Sequence, residues 1–458
     1  MRFACIVNEL RHFVGRCGLG AVMGSKNLKA VAVRGTGKVG VADPEGLKGL
    51  NRWFMDSYRE NPDVSGLSRY GTAQYINSQN ETCQLPTRNF TTGFFEGAGR
   101  LSAEAIKEEV FAYDYGCYVC PVKCKKAVKG GDLDPDYGGP EYEGLGALGS
   151  LCGVSDLKAV AKANEICNSA GMDVISAGVT VAFAMECFEK GLLGREDTGG
   201  LDLRFGNGEA LVKALEMTAD AEGVGRLLSQ GVARAAEEIG GRAKELAMHV
   251  KGLETPLHDP RRKGSLALAY SLSPTGADHL QGEHDHPFSK KGLYLERLAP
   301  LGINKPLVPE SLDQEKVRFF VLTQRWNSAG NCIGICNFAR GPIRVLDLDK
   351  VAGYLKAVTG WDTSLEDLLT VGERAITMAR LFNIREGFTA SDDTLPERFF
   401  HHYEACGRVY GGVNREAFAD ALKRYYRLMG WDEEGVPEKK RLHELGIDEM
   451  ATGECTSA

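Results

Sequence analysis

From residue 44 onward, apolar residues recur three and four positions apart in one segment after another. This period covers residues 44–60, 102–110, 157–170, 173–192, 208–221, 225–239, 314–328 and 364–382, and each segment is predicted as an amphipathic helix. Several starts are marked: Pro44 falls in a first turn, Asp173 can cap its helix, and Ser364 is followed three residues later by Asp367. Ahead of them, the β-rich stretch Val31-Ala-Val-Arg-Gly predicts the tail of a sheet. Between residues 254 and 306 the period gives way to a Gly, Pro and His rich stretch, which places a domain boundary near residue 255. The expected fold is mainly α: two multihelical domains, residues 41–255 and 256–458, behind a short β-containing N-terminal segment, residues 1–40.

With 55 Lys+Arg against 62 Asp+Glu, the 458-residue chain carries a formal charge of −7. That balance argues against nucleic acid as a partner. The longest nearly uncharged apolar run, residues 174–185, is far shorter than the roughly 20 residues that span a bilayer, so a soluble, cytoplasmic protein with no membrane partner is expected. Of the 13 cysteines, Cys5, Cys152, Cys167, Cys187 and Cys406 stand singly in apolar contexts and read as small buried hydrophobes; no disulfide framework is expected.

Cys117, Cys120 and Cys124 differ. Their Cys-x-x-Cys-x-x-x-Cys spacing offers three of the four corners of an iron–sulfur cube. A structural zinc site is the competing reading, although no second Cys-x-x-Cys hairpin exists to complete it, and a purely structural group is the third. Lys123, Lys125, Lys126 and Lys129 crowd the same loop, as a solvated face or as a docking patch for a small acidic electron carrier. The glycine-rich opening, residues 15–29, matches neither nucleotide fingerprint: Gly24 is followed by Ser25-Lys26, and Met23 stands where a third glycine belongs. Glycines near Arg16, Lys26 and Lys29 leave phosphate binding and an ordinary turn both open. His279, His284 and His286 crowd Asp278, Glu283 and Asp285, as proton relay or metal group, while His258 reads as structural or pocket-lining.

Residues 15–30, the cysteine group, Gly139-Pro-Glu-Tyr-Glu143, residues 171–178, residues 383–388 and residues 392–399, taken in order, resemble the tungsten-dependent aldehyde ferredoxin oxidoreductase family. The resemblance implies tungsten (or molybdenum) held by the sulfurs of two pterins beside one 4Fe–4S cluster, with magnesium between the pterin phosphates. It implies oxidation of an aldehyde to a carboxylic acid, with electrons passed to ferredoxin or a similar acidic carrier. Arg16, Gly18 and Lys26, the turn Asp173, Ser176 and Gly178, and the turn Asn331, Cys332 and Gly334 then fall to the pterins. Cys336 becomes the fourth cluster ligand, and Glu143, Glu141 and His279 become the catalytic candidates. Asn331 and Cys332 depart from the family's usual Asp and Ser. Residues 1–40 would be the tail of a pterin-binding β domain that is otherwise missing, supplied by a separate chain or a longer gene product; a homodimer is compatible with the pattern. The rival readings are an aromatic acyl-thioester reductase and an iron–sulfur electron-transfer subunit without a competent pterin site.

Overall fold

Helix dominates the secondary structure of this computed structural model, which describes residues 1–451. The fold rests on α1 (Pro44–Ser57), α2 (Ala103–Glu109), α3 (Tyr142–Leu148), α4 (Leu157–Ser169), α5 (Val174–Glu189), α6 (Gly208–Asp220), α7 (Val224–Leu228), α8 (Val232–Ile239), α9 (Gly264–Leu272), α10 (Gln314–Cys332), α11 (Leu365–Arg385) and α12 (Arg415–Leu428). The predicted starts hold for physical reasons. The Asp173 carboxylate accepts from Ile175 N–H at 3.1 Å, and Ser364 with Asp367 closes a reciprocal capping box on α11, satisfying amides that have no partner inside the helix.

Two expectations are corrected. Residues 225–239 are two helices: Gly231 takes φ +83° between α7 and α8, and the freed Val232 N–H donates to Glu254 Oε1 at 2.8 Å. Residues 31–35 form no strand, because none of the described residues supplies a pairing edge; Val31, Val33 and Val39 are 72%, 89% and 88% exposed. A strand pattern becomes a strand only where a neighbour completes its hydrogen bonds. The N-terminal β structure is instead a hairpin of β1 (Ile6–Asn8) and β2 (His12–Val14), with Ile6 opposite Val14. Two more antiparallel hairpins matter below: β3 (Phe111–Tyr115) with β4 (Lys125–Val128), and β5 (Tyr403–Ala405) with β6 (Arg408–Tyr410).

The main core draws on residues from Phe3 to Trp431 and runs across residue 255, joining Leu145 and Phe183 to Leu257, Tyr270 and Phe320. Helix α5 is buried on nearly every side, so its apolar run serves the core, and no helix among the described residues is long and apolar enough to cross a membrane. At Gly178 a Cβ would stand 2.6 Å from Ala147 Cβ; only glycine lets α5 approach α3 so closely. Cys152, Cys167 and Cys187 are buried as expected. Cys406 is not a lone hydrophobe: it is disulfide-bonded to Cys83, 323 residues away, with Cα atoms 6.5 Å apart. The β5–β6 turn lays Cys406 beside that segment, where Tyr403 Oη donates to the Cys83 carbonyl at 2.8 Å, a juxtaposition no local pattern announces.

Candidate active site

A cavity of about 660 Å³ opens between α3, the start of α5, the segments 258–263 and 279–287 on either side of α9, and the segment after α10. Glu143, in the first turn of α3, projects into it. Its Oε2 accepts from Leu257 N–H at 2.9 Å. Its Oε1 faces His258 Nε2 at 3.4 Å and His279 Nε2 at 3.7 Å, and the facing atoms of the three residues all lie within 4.8 Å of one another. The ring of Tyr142 stacks on His258 with centroids 4.8 Å apart, and Tyr142 Oη donates to the Leu257 carbonyl at 2.7 Å. Burial, reinforced by the neighbouring Lys263 cation, drives His258 well below the usual imidazole range; His284 is driven down by the same two causes. Both rings are therefore neutral near pH 7. Burial lowers His286 to about 4 and raises Glu283 to about 7, against the opposing pull of Arg340.

Glu141 is set apart from Glu143. Its Oε1 accepts from Lys125 Nζ at 2.6 Å, on the strand leaving the cysteine loop. Of the loop's lysines, Lys126 is buried, donating to the Ser68 and Lys123 carbonyls, and only Lys123 and Lys129 are exposed. The four-lysine docking patch therefore shrinks to two residues, because the other two neutralise carboxylates or fill carbonyl sites.

Cys117, Cys120 and Cys124 lie on the loop joining β3 to β4, and Cys336 follows the end of α10. Burial pushes the Cys124 thiol up to about 12, with Glu141, Cys336 and Cys120 adding to the rise and Lys125 opposing it. Cys336 is raised by burial and by Cys117 and Cys120. Cys124 thus lies in the field of Cys120 and Cys336, and Cys336 in that of Cys117 and Cys120; Cys117 and Cys336 are exposed, as is Cys332. Cys332 ends α10.

The residues assigned to pterins by resemblance are distributed unevenly. Arg16 and Asp173 line the cavity and are paired, Nε to Oδ2, at 3.1 Å. Ser176 stands behind them, fully buried, donating to Asp173 Oδ2 at 2.6 Å and reaching Glu254 Oε2 at 2.7 Å. Gly18 takes φ +67° where a Cβ would strike the Arg2 carbonyl, Gly178 serves helix packing, and Lys26 is exposed. Asn331 Oδ1 accepts from Arg340 Nη2 at 3.1 Å, and Gly334 takes φ +76° in the turn before Cys336.

A polar cofactor fits these walls. His279 Nδ1 and Asn337 Oδ1 are buried with no hydrogen-bond partner, and both residues line the cavity; buried polar atoms of that kind call for a ligand group. The sequence does not announce Lys263, Gln79 or Arg340 as cavity residues, because none lies in a chemical motif. His258 carried a visible signal, its neighbourhood Leu257-His-Asp-Pro.

A family model described as aldehyde ferredoxin oxidoreductase, domains 2 & 3, matches residues 49–447, and one for the N-terminal domain of the same enzymes matches residues 1–35. Tungsten-containing aldehyde ferredoxin oxidoreductases from Thermococcus kodakarensis and Pyrococcus horikoshii are 37% and 38% identical to this chain, over 98% of it and 72% of theirs. The WOR-like subunit of an aliphatic sulfonate oxidoreductase from Pyrococcus furiosus is 29% identical over 98% of the chain and 68% of its own length. In fold, the chain is similar to the active site complex BamBC of benzoyl coenzyme A reductase, with a TM-score of 0.78 at 23% identity, covering 98% of this chain and 72% of that one. The matched family model and the named relatives put the chain among the oxidoreductases. The chain belongs to the aldehyde ferredoxin oxidoreductase family.

Proposed function

We propose that this chain oxidises an aldehyde to a carboxylic acid, with Glu143 as proton acceptor, His279 beside it, and electrons leaving through a cluster on Cys117, Cys120, Cys124 and Cys336 to ferredoxin. The observation that carries the reading is the convergence of Glu143, His258 and His279 in a cavity whose wall includes Asn337 and Phe338, the residues directly after Cys336. A tungsten (or molybdenum) bis-pterin, when bound, would supply the two-electron acceptor, and Arg16 and Asp173, which line the cavity, are the residues that would hold it. Water addition to an aldehyde and loss of two electrons release two protons. A carboxylate with one oxygen committed to Leu257 N–H and the other facing two imidazoles is equipped to take one of them. Tyr142 packs over His258 and excludes water from that side.

The exposed Val31, Val33 and Val39 support a β-domain partner lying over this end, since exposed apolar side chains grouped in one segment mark interaction surfaces. The test is metal analysis of anaerobically purified protein, with aldehyde-dependent reduction of a viologen dye assayed with and without a β-domain chain. Iron with tungsten or molybdenum and aldehyde-dependent turnover support the proposal. Iron without either metal, or turnover on an acyl thioester in place of aldehydes, overturns it.

A further inference from the structure

Lys263 is 2% exposed, yet its ammonium group reaches the cavity. Its Nζ donates to Gln79 Oε1 at 3.0 Å and stands 3.2 Å from His258 Nδ1. On the opposite edge of that ring, His258 Nε2 faces Glu143 Oε1 at 3.4 Å. An ammonium group has hydrogens to give and no lone pair to accept with, whereas a neutral imidazole carries a single hydrogen.

We propose that Lys263 is a positioning residue: by donating to Nδ1 it holds His258 as the Nε2–H tautomer, so that His258 presents a hydrogen, and not a lone pair, to Glu143. The 3.4 Å separation is longer than a formed hydrogen bond, in the range from which acid–base contacts tighten when substrate enters. The same tautomer denies a divalent cation the lone pair it would need at His258, so the Glu143, His258 and His279 group is a proton-handling set.

The surrounding charges keep Lys263 able to donate at neutral pH. Burial lowers it to about 8, against the pull of Asp285, Asp259 and Glu143. Asp285 is itself bound by Lys316 and Ser265, and Asp259 by Arg261 at 2.6 Å. His284 and His286, on the remaining side, are neutral by the directions given above.

The functional part of the proposal rests on the reading of Glu143 as proton acceptor, whereas the tautomer can be read without turnover. In the full chain carrying its cofactors and ring-nitrogen-labelled histidine, with His258 assigned by its loss in His258→Gln, nitrogen NMR should show Nε2 protonated and Nδ1 bare. Lys263→Met should move the hydrogen to Nδ1 or into exchange and lower kcat about tenfold to hundredfold with KM little changed; Lys263→Arg should keep the tautomer and most of kcat. A protonated Nδ1 in the unaltered protein overturns the proposal with no variant needed, as does an unchanged tautomer in Lys263→Met. A changed tautomer with unchanged kcat upholds the assignment and removes Glu143 from the proton path.

Discussion

Lys125 Nζ lies 2.6 Å from Glu141 Oε1, tying the residue after Cys124 to the carboxylate that precedes α3. Glu143, two residues on, makes no such pair and points at two imidazoles. Lys125 answers to the bond, raised by the Glu141 charge and hydrogen bond against the cost of its own burial. Glu143→Gln should therefore lower kcat by about 10²–10⁴, while Glu141→Gln loses less than about tenfold and instead weakens the hold on the cysteine loop. Dye-coupled kinetics with iron counted per chain separate the two, and equal kcat losses at full iron content would reverse the roles.

Cys336 rather than Cys332 is expected to complete the cluster. Phe338 N–H donates to Cys336 Sγ at 3.4 Å, the kind of amide contact that steadies a thiolate, whereas Cys332 is still part of α10. Cys336→Ser should lose the broad visible absorbance and most of the iron, and Cys332→Ser should keep both. Joining Cys336 to the β3–β4 loop also ties distant positions together, so iron removal should lower the thermal midpoint.

Glu283 gives the molecule a pH signature. Its carboxyl is raised from 4.5 to about 7 by burial, so the folded state binds the proton more tightly than the unfolded chain. Stability then falls as pH rises from the unfolded value to about 7, by up to roughly 3 kcal/mol, and the deficit persists above that. Glu283→Gln should raise the urea midpoint at about pH 8 and leave it nearly unchanged at about pH 5; a gain of equal size at both would refute the assignment.

Arg398 donates to both oxygens of the buried Glu186, at 2.9 and 2.8 Å, and to the Asn89 carbonyl. Arg398→Met leaves that carboxylate with Asn89 Nδ2 at 2.7 Å and Lys190 at 3.7 Å. The expected loss is about 3–5 kcal/mol by denaturant unfolding, with part of it recovered in the double variant Arg398→Met, Glu186→Met, because removing both charges also removes the burial cost.

Much of this was legible along the chain. Helix periods, the caps at Asp173 and Ser364, and the cysteine spacing are local signals, and they report local structure faithfully. The split of residues 225–239 was hidden because Glu254, which takes the Val232 amide, lies in a different part of the chain. The failure of residues 31–35 to pair has the same root, since a strand depends on an edge that its own residues do not encode. In the cavity, Glu143 and His279 stand in motifs, whereas Lys263 reads as an ordinary lysine after Arg261-Arg262 until the fold lays it against His258.

Glu143 and His279 come from opposite sides of residue 255, yet one uninterrupted core holds both elements. Opening one half of the molecule upon the other would break that shared core. Whatever admits substrate and shuts out water has to act at the rim of the cavity.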